Sequence, residues 1–179
     1  MIHDGLRKSR WTCEKLLNGS PFPEFPFRDG TWIGVVFNRD MHGIAGVPAD
    51  VFQSVLDAMA EFGEHLLTFV PAVDSLGGSD DAFPVTDLAN WQQYLCFLKR
   101  IDFCPEYYLV SSRGTVLFWF DADAVVVGGR AEVIRCAVAH LGGMDGVLLR
   151  STSDFGVSLG DAQSDVATYI GNLAHLPKC

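Results

Sequence analysis

Basic residues are missing from about a third of this chain, because no lysine or arginine occurs between Arg39 and Lys99. The same stretch holds nine carboxylates: Asp40, Asp50, Asp57, Glu61, Glu64, Asp74, Asp80, Asp81 and Asp87. Nucleic-acid binding needs lysine and arginine to displace counterions from phosphates, so this composition argues against DNA or RNA as a partner. It also argues against an anionic membrane surface and favours attraction to a cationic protein.

Cysteine pairs and long apolar runs are missing as well. The five cysteines are widely spaced without a Cys-x-x-Cys pair, which argues against a zinc ribbon or a thioredoxin-type centre; they are Cys13, Cys96, Cys104, Cys136 and Cys179. No apolar run approaches the roughly 18 residues of a membrane-spanning helix. Residues 1–8 are charged with no apolar run behind them, unlike a secretory signal peptide. These absences predict a cytoplasmic protein in a reducing compartment.

The composition is that of a folded chain. Hydrophobic residues make up 49% and charged residues 20% of the 179 positions, enough apolar material for a full core. We therefore expect a single globular domain over residues 1–179, with residues 1–30 forming an N-terminal helix and a Pro/Phe-rich extended connection. The formal net charge is −9, and it resides in residues 51–179, since basic and acidic side chains cancel in residues 1–50.

Hydrophobic periodicity predicts alternating helices and strands in the first half of the chain. The expected elements are a helix over 3–18, the extended segment 20–27, a strand over 31–37, a helix opened by Pro48, a strand over 66–70, a loop over 71–85, and a helix capped by Thr86 that ends near Arg100. The helix after Pro48 has a predicted buried stripe of Val51, Phe52, Val55, Met59 and Phe62, with Asp50, Asp57, Glu61 and Glu64 outside it. In segment 20–27 the phenylalanines are expected to anchor the connection to the core; a polyproline-like ligand for another domain is the alternative.

The second half of the chain contains a β-hairpin signal. Two β-rich runs, 107–110 and 115–120, flank the Gly-containing turn Ser111-Ser-Arg-Gly114. The elements expected after it are a strand over 124–127 that Gly128-Gly129 breaks, a helix over 130–141, a strand over 147–150 and a last helix over 161–173. This order predicts an α+β fold: a mixed, largely antiparallel sheet with a central hairpin and about four to five helices packed over it.

An Asp-x-Asp pair follows the second hairpin strand. The segment Leu117-Phe-Trp-Phe-Asp-Ala-Asp-Ala-Val-Val126 resembles the metal-binding signature of nucleotide-sugar glycosyltransferases, and more faintly the start of haloacid-dehalogenase phosphatases. The first resemblance implies that Asp121 and Asp123 hold a divalent ion that bridges a diphosphate. Two aspartates that close a strand also form ordinary polar bends, so both interpretations stay open.

Two further patterns carry possible chemistry. Gly156-Val-Ser-Leu-Gly160 matches the nucleophile-elbow pattern of hydrolases, with a glycine-rich turn capped by Ser158 or Asp161 as the alternative. Cys136 and His140 are four residues apart on a predicted helix, a spacing that suits two metal ligands or a thiolate–imidazole pair. Since no third ligand lies nearby in sequence, we expect these two side chains to flank the core.

The acidic segment supports the leading functional hypothesis. Its charge is concentrated and adjoins aromatic side chains, and aromatic anchors inside a charged rim are typical of protein interfaces. We expect a non-enzymatic module without a cofactor that binds a basic protein, most concretely an immunity or antitoxin-type inhibitor of a basic toxin domain. The expected contact residues are Asp57, Glu61, Asp80, Asp81, Phe83, Asp87 and Trp91. The alternative is a divalent-metal-dependent, nucleotide-sugar-binding enzyme that uses Asp121 and Asp123.

Overall fold

A six-stranded sheet forms the centre of the described part of the molecule. The computed structural model describes residues 13, 15–19, 24–72, 86–101, 106–157, 167, 168 and 170. The strands are β1 (Trp32–Asn38), β2 (Leu67–Pro71), β3 (Thr86–Leu88), β4 (Tyr107–Ser111), β5 (Val116–Phe120) and β6 (Ala124–Arg130). Their spatial order is β1-β6-β5-β4-β2-β3, and every pairing within the described part of the chain is antiparallel.

The predicted hairpin lies at the middle of this sheet. Tyr107 pairs with Phe120 and Val110 with Leu117, so β4 and β5 occupy the two central positions. Four α-helices with both ends in the described ranges accompany the sheet: α1 (Ala49–Glu61), α2 (Trp91–Leu98), α3 (Ala131–Ala139) and α4 (Gly143–Phe155); a 3-10 segment spans Arg39–Ala45. The α+β fold class with a central hairpin is confirmed. None of the helices in the described ranges is long and apolar enough to cross a membrane.

Apolar side chains cover both faces of the sheet. Along β5, Phe118 and Phe120 belong to the larger core cluster, together with α1 and α3, whereas Leu117 belongs to a second cluster on the other face. Strand side chains alternate between faces, so a run of successive apolar residues requires cover on both sides. The second cluster includes Cys13, Phe27 and Ile170, so parts of both ends of the chain pack on that face.

The Pro/Phe-rich connection packs on the protein itself. Phe27 is buried, Phe25 packs against the same cluster, and the rings of Phe27 and Trp32 lie 5.0 Å apart. The core interpretation is therefore confirmed for these two phenylalanines. Most of the predicted helix 3–18 lies outside the described residues, as does Phe22, although Cys13, Lys15 and Leu16 are helical.

The prediction of a helix beginning at Thr86 is wrong. Residues Thr86–Leu88 instead form β3, where the Thr68 hydroxyl donates a 2.6 Å hydrogen bond to Asp87. The cap of α2 is instead Asn90, four residues later: its side chain accepts the backbone N–H of Gln93 at 2.9 Å, and the helix begins at Trp91. The loop predicted over 71–85 falls almost entirely outside the described residues.

Two predictions in the C-terminal half are also wrong. The run 147–150, predicted to be a strand, lies inside helix α4. Val147 and Ser151, which are one turn apart, are buried, and the Ser151 hydroxyl donates a hydrogen bond to the Val36 carbonyl of β1. Gly128 and Gly129 do not break the sheet but lie within β6. A Cβ atom on Gly128 would sit 2.2 Å from the Phe27 ring, so this glycine makes room for the aromatic side chain. Of the helix predicted over 161–173, only residues 167, 168 and 170 are described, and they are helical.

Candidate functional site on helix α1

Helix α1 carries two of the predicted contact residues on its solvent side. Asp57 and Glu61 are exposed and lie one turn apart, while Val51, Phe52, Val55 and Met59 are buried as predicted. The Asp57 carboxylate accepts a 2.8 Å hydrogen bond from Gln53, the neighbour one turn earlier. We call Asp57 and Glu61 the acidic helix face.

The other predicted contact residues are spread across the fold. Asp87 is exposed on β3, at the edge of the sheet, and Trp91 is half-buried at the start of α2. The centroid of the Trp91 ring lies 5.3 Å from that of Phe52 and 5.7 Å from that of Tyr94, so this side chain packs against the core. Asp80, Asp81 and Phe83 lie outside the described residues.

Sequence reasoning missed two exposed apolar side chains that follow the acidic helix face along the chain. Phe62 was expected in the buried stripe, but it is 40% exposed, and Leu66 is 39% exposed. Phe62 follows the last residue of α1 and leaves the helical path, so the stripe ends at Met59. The Gly63 that follows is a helix-stop signal that could have revealed this. Phe62 and Leu66 are referred to below as the apolar rim.

The fold places one arginine from a distant part of the chain beside the acidic segment, which has no basic residue of its own. Arg150, on α4, approaches Asp50 to 2.5 Å, and both side chains are about half exposed. An exposed pair of this kind contributes little stability, but it cancels the charge of Asp50 locally. The unpaired negative charge of α1 is thereby concentrated at its C-terminal half, where the acidic helix face lies.

Glu64 is not a surface carboxylate, contrary to the sequence-based expectation. It is 2% exposed and lies under the turn between β4 and β5. It accepts hydrogen bonds from the Thr115 hydroxyl, from the Arg113 backbone N–H at 2.9 Å and from the Ser112 hydroxyl at 3.4 Å. Burial on its own would raise the pKa of Glu64, but these hydrogen bonds outweigh it and hold the pKa below its ordinary value. Glu64 is thus an ionised cap of the central hairpin.

A mixed cluster of metal-binding residue types lies where α1 and α3 meet. The carboxylate of Glu61, the thiol of Cys136 and the imidazole of His140 have donor atoms within 4.8 Å of one another. Glu61 is the last residue of α1, Cys136 is in the last turns of α3, and His140 caps that helix. The third metal-binding residue type, which the sequence did not reveal, therefore comes from a helix far away along the chain.

The chemistry of Cys136 is that of a protonated thiol. Partial burial, a hydrogen bond to Glu61 and the negative charge of that carboxylate all raise the pKa of Cys136. Cysteine nucleophiles work as thiolates and sit beside positive charge, so this environment does not suit covalent catalysis by Cys136.

Asp121 and Asp123 lie in the tight connection between β5 and β6. The Asp121 carboxylate accepts the Ala122 backbone N–H at 2.7 Å, and the Asp121 N–H donates to the Ala124 carbonyl at 2.9 Å. Arg39 donates from its guanidinium to the Asp121 carbonyl at 2.6 Å and from its backbone N–H to the Asp123 carbonyl at 3.0 Å. This geometry is that of a polar bend with an arginine beside it. Within the described ranges, neither aspartate belongs to a cluster of three metal-binding side chains.

The nucleophile-elbow pattern lacks the structural context it needs. Such an elbow connects a strand to a helix. Here Gly156 is the C-cap of α4, with φ of 64°, so the pattern begins at the end of a helix. Residues 158–160 lie outside the described residues.

One histidine pairs with a carboxylate elsewhere in the fold. His42 of the 3-10 segment contacts Asp154 of α4, with Nε2 and Oδ2 2.6 Å apart and both side chains 18% exposed. The Asn38 side chain also donates to the Asp154 backbone carbonyl at 3.4 Å. These contacts join the segment after β1 to the end of α4.

An open cavity of about 340 Å³ lies on the sheet face opposite α1. Tyr108, Trp119, Leu17, Pro26 and Arg28 are among the residues that line it. Arg28 donates from Nε to the Leu17 carbonyl at 2.7 Å, which holds the N-terminal segment at this place. The cavity is thus separate from the acidic helix face and from the Glu61, Cys136 and His140 cluster.

Comparison with known protein families, with curated proteins and with solved structures finds no match for this chain.

Proposed function

We propose that this protein is a non-enzymatic cytoplasmic module that binds a cationic protein through the acidic helix face and the adjoining apolar rim. The observation that carries the proposal is the exposure of Asp57 and Glu61 on a helix whose opposite side is firmly buried, directly before the exposed Phe62 and Leu66. A rigid helix presents its side chains without the cost of ordering the backbone on binding, which favours association. Carboxylates beside exposed apolar groups match a partner that offers lysine or arginine around an apolar pocket.

The most concrete form of the proposal is an immunity or antitoxin-type inhibitor. A toxic nuclease needs a basic cleft to hold its substrate, and an acidic protein can cover that cleft after fast, electrostatically steered association. The overall charge of −9 supports this role, since long-range attraction raises the encounter rate with a cationic partner. The proposal rests on Asp57 and Glu61; the expected contacts through Asp80, Asp81, Phe83, Asp87 and Trp91 stay predictions.

The test compares three baits in affinity capture from the native cell's lysate. They are the wild type, the Asp57→Lys/Glu61→Lys variant and a control Glu24→Lys/Glu132→Lys variant. Glu24 and Glu132 are exposed, and either double reversal adds four units of charge and changes the formal net charge from −9 to −5. The control therefore separates the effect of where the charges are reversed from the effect of the change in net charge.

We expect the wild-type and control baits to capture one basic protein in stoichiometric amount at low salt and to release it at high salt. The Asp57→Lys/Glu61→Lys bait should not capture it. With that protein purified, reversal on α1 should lower the association rate at least about tenfold at low ionic strength. Capture that the α1 variant retains, or that both variants lose alike, would contradict docking through this face.

A further inference from the structure

Three different donor types converge at the junction of α1 and α3. They are the carboxylate of Glu61, the thiol of Cys136 and the imidazole of His140, all within 4.8 Å of one another. Cys136 and His140 come from adjacent turns of one helix, and Glu61 comes from the end of the other. The two helices pack against each other through the larger core cluster, so the backbone that carries the three residues is firmly held.

This donor set selects a particular class of metal ion. Sulfur and imidazole nitrogen suit zinc and its neighbours in the transition series, whereas magnesium, calcium and manganese favour sites built of oxygen donors. Two side chains at positions i and i+4 of a helix are a common way to supply two ligands to zinc. One carboxylate in addition gives three protein ligands, which leaves the fourth tetrahedral position for water.

Side-chain movement alone can bring the three donor atoms to the separations found around a bound zinc ion. Zinc–ligand bonds of about 2.0–2.3 Å place tetrahedral donor atoms about 3.3–3.8 Å apart. Since no two donor atoms of the cluster are more than 4.8 Å apart, each pair needs to approach by at most about 1.5 Å. Glu61 and His140 are exposed and can turn without displacing core side chains. The cluster also lies at the C-terminal ends of two helices, where the backbone carbonyl groups favour a positive charge.

We propose that Glu61, Cys136 and His140 form a binding site for a divalent transition-metal ion of the zinc class. The ion replaces the proton of the Cys136 thiol and is held by one sulfur, one nitrogen and one carboxylate oxygen, with water as the fourth ligand. All three ligands belong to this chain, so the site can be tested without a protein partner; Glu61 also belongs to the acidic helix face, and the two proposals share that one carboxylate.

The experiment is a titration of the reduced full-length chain with cobalt chloride, followed by competition with zinc chloride. Cobalt bound to a thiolate produces a charge-transfer band in the near ultraviolet, and four-coordinate cobalt produces intense visible bands. We expect both bands at one equivalent of cobalt and their loss when zinc is added. The Cys136→Ser variant should lose the charge-transfer band, and the Glu61→Gln and His140→Gln variants should each bind at least about tenfold more weakly.

Cys96 provides the control, because its side chain is exposed, whereas that of Cys136 is half-buried, and it lies outside the cluster. Cys96→Ser should keep both bands and the affinity of the wild type. An unchanged spectrum in Cys136→Ser, or an absence of cobalt bands in the wild type at millimolar cobalt, would overturn the proposal. Circular dichroism verifies that each variant is folded. If Cys136→Ser does not fold, the weaker cobalt binding expected of His140→Gln, a substitution at an exposed position, tests the proposal instead. No partner is present in this experiment, so its failure leaves the docking proposal to its own test.

Discussion

Replacing Glu64 by glutamine should destabilise the fold, although the residue lies within the acidic segment and looks like a surface position in sequence. The wild-type carboxylate accepts hydrogen bonds from Thr115, Arg113 and Ser112 under the central hairpin. Glutamine keeps the carbonyl oxygen but presents an NH₂ group where the second oxygen accepted a donor. One charge-assisted hydrogen bond is lost, which corresponds to about 2 kcal/mol of unfolding free energy.

Urea denaturation at pH 7 measures this loss. With a slope of about 2 kcal/mol per molar urea, the midpoint should fall by about 1 M. Glu61→Gln in the presence of a chelator is the matched control, since Glu61 is exposed and its substitution should change the free energy of unfolding by less than about 0.5 kcal/mol.

The pH dependence gives a second, independent check. The pKa of Glu64 is lowered in the folded state, so its contribution is fully present above the ordinary value of 4.5 and is lost as the pH falls through the folded pKa. The stability gap between wild type and Glu64→Gln should therefore stay constant at neutral pH and narrow below pH 4.5. Equal midpoints at pH 7, or a gap that does not narrow in acid, would refute the assignment of Glu64 as an ionised cap.

Two further predictions concern β6 and the turn before it. Gly128→Ala places a methyl group 2.2 Å from the Phe27 ring and should lower the unfolding free energy, measured by urea denaturation, by about 1–3 kcal/mol. In the double variant with Phe27→Leu, the smaller side chain should recover part of that loss. Strictly additive effects of the two substitutions would contradict the packing argument. If the protein is a nucleotide-sugar-binding enzyme, saturating manganese and nucleotide sugar should raise its melting temperature by about 5 °C, and Asp121→Ala should abolish this rise. An unchanged melting temperature of the wild type would exclude this alternative.

The sequence pattern was sufficient where local periodicity decides the structure. The stripe of α1, the doubly covered strand β1 and the β4–β5 hairpin all follow from side-chain spacing within a few residues. The run 147–150 was ambiguous because a short apolar segment fits a strand or a buried helix. Contact with β1 and the glycines at both ends of α4, Gly142 and Gly156 with φ of 86° and 64°, favour the helix.

The candidate sites depend on long-range neighbours and were only partly predictable. Asp57 and Glu61 were assigned to the solvent side of α1 from helical spacing, but the burial of Glu64 depends on a hairpin turn about fifty residues later. The partnership of Glu61 with Cys136 and His140 likewise requires knowing that α1 lies beside α3. One sequence read by local pattern contains no information about such contacts.

The two outer strands limit how this molecule can associate with other chains. At one edge, the Val36 carbonyl of β1 is already bonded to Ser151 of α4, so an incoming strand cannot pair there without displacing that helix. At the other end of the described sheet, β3 has only three residues and bears the charged Asp87. Short, charged or covered edges oppose polymerisation of sheets into aggregates. The two edges of the described sheet therefore disfavour a partner that extends it and favour contact through side chains of helices and loops.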